Sequence, residues 1–275
     1  MDRTARGVRY FVGLAGKSVA MSWKSRLSHR GAFYFRTASI GFGYIIQVVT
    51  IWILVSRFEA IAGWSAWEVA FLYGLHLLAY ALGASFFYYP STTLHRSIVS
   101  GEFDTYMVRP LNPMLYFVLK NFATGYVTHI SIAIAVLWIS GSRLGLAWST
   151  GEILLFIMTI AGSAMIMGAL QILPALVSFW IPRSENLVDM IFWTARDFIN
   201  YPLDIFSRPI RFVLIFAVPM AFVNYFPAHL FLDKPLPSGY PAVLMYMSPL
   251  VGAILIAATL GCVRIAIRHY KSSGS

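Results

Sequence analysis

Apolar residues in this chain gather into long runs set apart by short polar stretches. A helix needs about 20 apolar residues to cross a hydrocarbon core of roughly 30 Å. The pattern therefore predicts an all-α integral membrane protein, a single transmembrane domain over residues 1–275, with spans at 32–55, 66–89, 114–140, 151–181, 187–205 and 242–267. Trp64 and Trp67 anchor the start of the second span at an interface, and Arg36 lies close enough to the inner end of the first to snorkel. Ahead of the spans, residues 3–27 read as an amphipathic helix. Val8, Phe11, Val12, Ala15, Val19 and Trp23 share one face and Arg3, Arg6, Lys17 and Lys24 the other, as in helices that lie among anionic headgroups. A solvated basic tail is the alternative.

Between Pro182 and Tyr240 the pattern is ambiguous. Residues 183–211 carry many charges, whereas 212–232 carry none. One reading makes 183–211 a cytoplasmic surface helix and the uncharged half the fifth span. The other puts the fifth span at 187–205, followed by a re-entrant hairpin over 207–230 broken at Pro209, Pro219 and Pro227.

Composition agrees with a membrane domain: 59% of residues are hydrophobic, 12% are charged and the mean hydropathy is +0.70. The net charge of +10 does not point to nucleic acid, because Lys and Arg sit at the chain ends and in short loops rather than along one face. It sets orientation instead. With both termini cytoplasmic, thirteen Lys and Arg lie inside against Arg57, Arg143 and Lys234 outside, joined by Arg208 and Arg211 if 207–230 is an outer hairpin. The N-terminus has no signal-peptide core or cleavage site, so the mature chain is expected to start at or near Met1. The one cysteine, Cys262, rules out a disulfide framework within the chain.

Chemistry is sparse. No GxxxxGK[ST] phosphate loop, HExxH, GxSxG or His/Cys cluster of metal-ligand spacing occurs, so no catalytic, cofactor-binding or metal-binding residue is assigned. His76 and His129 fall inside spans, where a helix-to-helix hydrogen bond competes with a transport or proton-relay role. Arg196 and Asp197 either lie within a span, paired with each other or a neighbouring helix, or are ordinary solvated charges. Lys120 reads as a snorkelling lysine. The 90–113 loop has the form of a docking knob. A short helix over 91–100 ends at Gly101, Glu102-Phe103-Asp104 sets two carboxylates around an aromatic, and Arg109-Pro110-Leu111-Asn112-Pro113 stiffens the return. A plain connecting loop is the alternative.

Together with that loop, Gly63-Trp64-Ser65-Ala66-Trp67-Glu68, Tyr201-Pro202-Leu203-Asp204-Ile205-Phe206, Val218-Pro219-Met220-Ala221-Phe222 and Tyr225-Phe226-Pro227-Ala228 resemble the permease subunits of type-2 ATP-binding-cassette exporters, in a small six-span bacterial branch. The resemblance runs from about residue 30 to 268. It implies a half-transporter in the bacterial inner membrane, working with a second permease subunit and a separate ATPase dimer that binds the ATP. By the same resemblance the 90–113 loop is the coupling element, with Gly101, Glu102, Phe103, Asp104, Arg109 and Pro110 as ATPase-coupling residues. The 3–27 helix is the connector and 207–230 the re-entrant hairpin. A lipid-like or amphipathic cargo fits spans poor in charge and rich in aromatics. An intramembrane lipid-modifying enzyme and a channel or scaffold subunit are the rival classes.

Overall fold

The computed structural model describes residues 31, 38–39, 41–46, 49, 53, 60, 62–109, 112–181 and 189–270. The predicted connector helix 3–27, most of the 32–55 span and Pro110 lie outside the described residues.

The central element is α1, Ala66–Val99, a 34-residue helix. Its start is written in the sequence: Ser65 caps the Glu68 amide, and the Glu68 carboxylate accepts from the Ser65 amide at 2.7 Å, a reciprocal box that satisfies two end donors. The helix does not stop at Tyr89 as expected. Pro90 has no amide to give the Phe86 carbonyl, yet the helix runs on, with the hydroxyls of Ser91, Thr92 and Thr93 bonded back to the carbonyls of Tyr88 and Tyr89. The separate helix expected over 91–100 is thus the end of α1, closed at Gly101, whose φ of +71° is the left-handed cap a glycine takes most easily.

A four-residue helix, α2 (Asp104–Met107), and then α3 (Pro113–Lys120), capped by Asn112, follow. The expected 114–140 span is split here. Residues 121–126 leave α-helical geometry, and the Ala123 amide donates to the Ser85 carbonyl on α1 at 2.7 Å, a tertiary bond with no signal in hydropathy. The chain resumes as α4 (Val127–Arg143), turns, and enters α5 (Thr150–Ala175) through a second reciprocal box, Ser149 with Glu152.

No single helix fills 187–205. A π-turn at Asp189–Trp193 and α6 (Thr194–Phe198) make a short helical stretch that ends before Pro202. This segment runs antiparallel to α1: Trp193 meets Tyr88 and Tyr80, and Asp204 reaches Trp64. Next, α7 (Arg208–Phe212) with its π-turn, and a 3-10 turn with α8 (Tyr225–Phe231), form a pair of helical arms bent by 76°. Only Pro219 stands at the break. Pro209 and Pro227 sit in the first turns of α7 and α8, where a missing amide costs little. The bend leaves the Phe222 carbonyl to accept from Ser163 of α5 and, at 2.7 Å, from Ser248 of α9 (Ser248–His269).

Packing centres on α1, against α5 and α4, with α9 on the far side of α5. The α5–α9 crossing depends on Gly162 and Gly252, since a Cβ on Gly252 would land on the Gly162 backbone. Among the described residues three helices are long and apolar enough to span a membrane: α1, α5 with its 3-10 extension, and α9. The bent pair makes a fourth if it is one span.

Candidate coupling site

At about 1.5 Å per residue α1 is about 51 Å long, some 20 Å more than the hydrocarbon core of a bilayer. The excess carries the Gly101-Glu102-Phe103-Asp104 turn away from the bundle end that holds Trp64. Phe103 is fully buried. Its ring lies 5.2 Å from Phe179, 5.3 Å from Tyr270, 5.8 Å from Tyr106 and 6.0 Å from Phe117, so side chains from four parts of the chain close over it. Contact with a partner through Phe103 is therefore not available; the ring fastens the turn to the permease itself.

The two carboxylates bond within the knob, although Glu102 itself stays exposed. Glu102 accepts from the Tyr106 hydroxyl at 2.9 Å and pairs with Lys120 at 3.3 Å, while Asp104 accepts from the Tyr270 hydroxyl at 2.8 Å. Lys120 is thus part of the knob rather than a snorkelling residue. The Tyr106 hydrogen bond, then Lys120, hold the Glu102 carboxyl below the usual carboxylate range. Tyr106 likewise holds Lys120 in its charged form. Burial, then the bond to Asp104, pushes Tyr270 up to about 12. Because Glu102 and Lys120 are each half exposed, their pair is worth at most about 1 kcal/mol, whereas burial of the Phe103 ring is worth about 3–5 kcal/mol. Aromatic packing, not charge, holds the knob.

Its outward face adds three residues that charge patterning did not single out to Glu102 and Arg109, which it did. Val108 is 84% exposed, and Met107 and Thr105 are exposed beside it. Arg109 is exposed too, its guanidinium 4.7 Å over the Tyr116 ring. A valine next to Arg109-Pro110 in a polar loop is the signal that could have marked this face.

At the opposite end of α1, the strings that carry the resemblance meet. Trp64, only 1% exposed, donates its indole N–H to Asp204 at 2.9 Å, and the Tyr225 hydroxyl donates to the same carboxylate at 2.8 Å. Lys234 bonds the Gly63 carbonyl at 2.7 Å and pairs with Glu68 at 3.0 Å. This knot ties the bent pair to α1.

The remaining predicted polar residues divide. His76, His129 and Arg196 come together around Tyr80: the two histidine rings lie 6.4 and 6.3 Å from it, and the Arg196 guanidinium 4.1 Å above its face. Asp197 is exposed and does not pair with Arg196. Among the described residues no three His, Cys, Asp or Glu side chains converge as metal ligands.

Among the described residues, a helical bundle with apolar spans is the form of a multi-pass membrane protein. The family described as ABC-2 family transporter protein matches residues 42–274, and the chain belongs to that family. It is an ABC transporter permease, with ATP hydrolysis carried by a partner ATP-binding-cassette subunit. Neither the curated proteins nor the solved structures give a match.

Proposed function

We propose that the chain is one half of a six-span ABC exporter in the bacterial inner membrane, with both termini cytoplasmic. A second permease subunit completes it, and an ATPase dimer drives it by alternating access. No cofactor belongs to the permease, the ATP being held by the partner. The first span and residues 187–205 contribute one span each, and the bent pair 208–231 is the re-entrant hairpin; the antiparallel run of 193–204 along α1 supports this topology. The cargo is lipid-like or amphipathic.

The observation that carries the reading is the knob at the end of α1. A turn sealed to the bundle by Phe103 and presenting Thr105, Met107, Val108 and Arg109 outward is a rigid lever. A push on that face moves α1 directly, and α1 is the helix around which the others pack. The test is co-purification of the ATPase with a V108D/R109E permease. The reading predicts loss of association with normal membrane insertion; undiminished association and ATPase coupling refute it.

A further inference from the structure

Within the bundle, α6 holds a cation that pairs with no carboxylate among the described residues. The Arg196 guanidinium lies 4.1 Å from the Tyr80 ring centre and 5.1 Å from that of Trp193, with the Tyr44 hydroxyl as a hydrogen-bond partner. Its Nε is buried and bonded to nothing among the described residues. Tyr80 lies about 21 Å along α1 from Ala66, a depth well inside a hydrocarbon core of roughly 30 Å. Two aromatic faces offset part of the desolvation of a guanidinium, but among the described residues they leave its charge uncancelled and its buried Nε without an acceptor.

The surroundings are unfilled in the same way. Among the described residues, both ring nitrogens of the wholly buried His76 meet no partner at full hydrogen-bonding geometry, though Asn200 lies beside that ring, and the Tyr73 hydroxyl and the Asn200 side-chain oxygen are likewise unfilled. Three polar side chains with unused capacity around one aromatic-faced arginine are costly as a structural core, because buried polar groups are ordinarily bonded. The same set suits a ligand that brings an anion for the arginine and hydroxyls for the rest.

We propose that Arg196, with Tyr80, Trp193, His76 and Asn200, forms a subsite for an oxyanion, a phosphate or carboxylate group of the transported molecule. The planar fork of arginine matches such groups in a bidentate way, and the flanking rings suit the apolar part next to the headgroup. This deepens the permease reading and rests on it, since it makes the cluster part of the transport path.

The permease–ATPase complex in phosphatidylcholine nanodiscs is titrated, by tryptophan emission, with dodecyl phosphate, dodecyltrimethylammonium and inorganic phosphate, and W193F identifies the reporting indole. Wild type is expected to bind dodecyl phosphate saturably, R196Q to bind it roughly tenfold or more weakly, and R196K to fall between. Arg196-dependent binding of inorganic phosphate as well assigns a soluble oxyanion; its absence assigns a headgroup on an apolar body. Equal binding of dodecyl phosphate by R196Q and wild type overturns the subsite. So does equal binding of dodecyltrimethylammonium and dodecyl phosphate by wild type, a comparison that decides the matter even if R196Q does not insert. Failure of wild type to retain its ATPase counts against the permease reading instead, and leaves the binding result to stand alone.

Discussion

Removal of the Phe103 ring is the sharpest perturbation of the knob. F103A deletes a fully buried side chain that touches Tyr106, Phe117, Phe179 and Tyr270. Such truncations cost about 3–5 kcal/mol, with each aromatic pair contributing about 0.5–1.5 kcal/mol of that. F103L keeps most of the apolar volume, and swaps of that kind cost under about 1.5 kcal/mol. The Glu102–Lys120 pair, half exposed, cannot make up the difference. The population of the opened turn should therefore rise by roughly a factor of 100 or more in F103A and by about tenfold or less in F103L. Amide hydrogen exchange reads this directly, because the Phe103 amide donates to Ser97 and the Tyr106 amide to Phe103 inside the turn. Exchange across residues 100–109 is predicted to accelerate in F103A, with α1 near His76 unchanged, and ATPase stimulation by the permease to fall in step. Unaltered exchange in the turn, or faster exchange with intact coupling, would refute the view that ring packing holds the lever.

Three further outcomes follow from the packing and the charges. D204A strips the acceptor from Trp64 and Tyr225 and should lower stability by about 2–4 kcal/mol in an SDS-unfolding titration, with D204N losing less; no change would mean that the knot does not hold the bent pair. G252L should part α5 from α9 at a cost of about 1–3 kcal/mol, whereas G261A, where a Cβ meets open space, should be neutral in the same titration. Tyr270 has its pKa raised from about 10 in the unfolded chain, so the stability it contributes is complete below about pH 10 and is lost as pH rises through about 12. The 295 nm difference titration of wild type against Y270F should show that late ionisation, and a Tyr270 step near pH 10 would contradict the bond to Asp104.

How far the fold was legible depended on whether the deciding contact was local. Ser65 with Glu68, and the glycine stop at Gly101, are set by residues three or four apart and can be read from the chain. Continuation through Pro90 runs against the local tendency of proline to end a helix, and the break at 121–126 goes with a bond from Ala123 to Ser85 in another element. Neither leaves a trace in hydropathy. The knob itself was visible as a charged and aromatic loop, but not which of its side chains fold back on the bundle. In a turn of a few residues no periodicity separates inside from outside, so the burial of Phe103 against Phe179 and the bonds of Glu102 to Lys120 and of Asp104 to Tyr270 could not be read. His76, His129 and Arg196 were each recognisable as costly inside a bilayer. Their convergence on Tyr80 required the antiparallel run of α6 along α1.

The central claim, that the tip of the knob touches the motor subunit, is tested most directly by crosslinking from position 108. With the native Cys262 changed to serine, a V108C permease carrying a short photoreactive group should crosslink to the ATPase in inner-membrane vesicles, with a yield that changes on nucleotide binding. Labelling of V108C from the periplasmic side, or crosslinks to lipid and permease alone whatever the nucleotide, would contradict it.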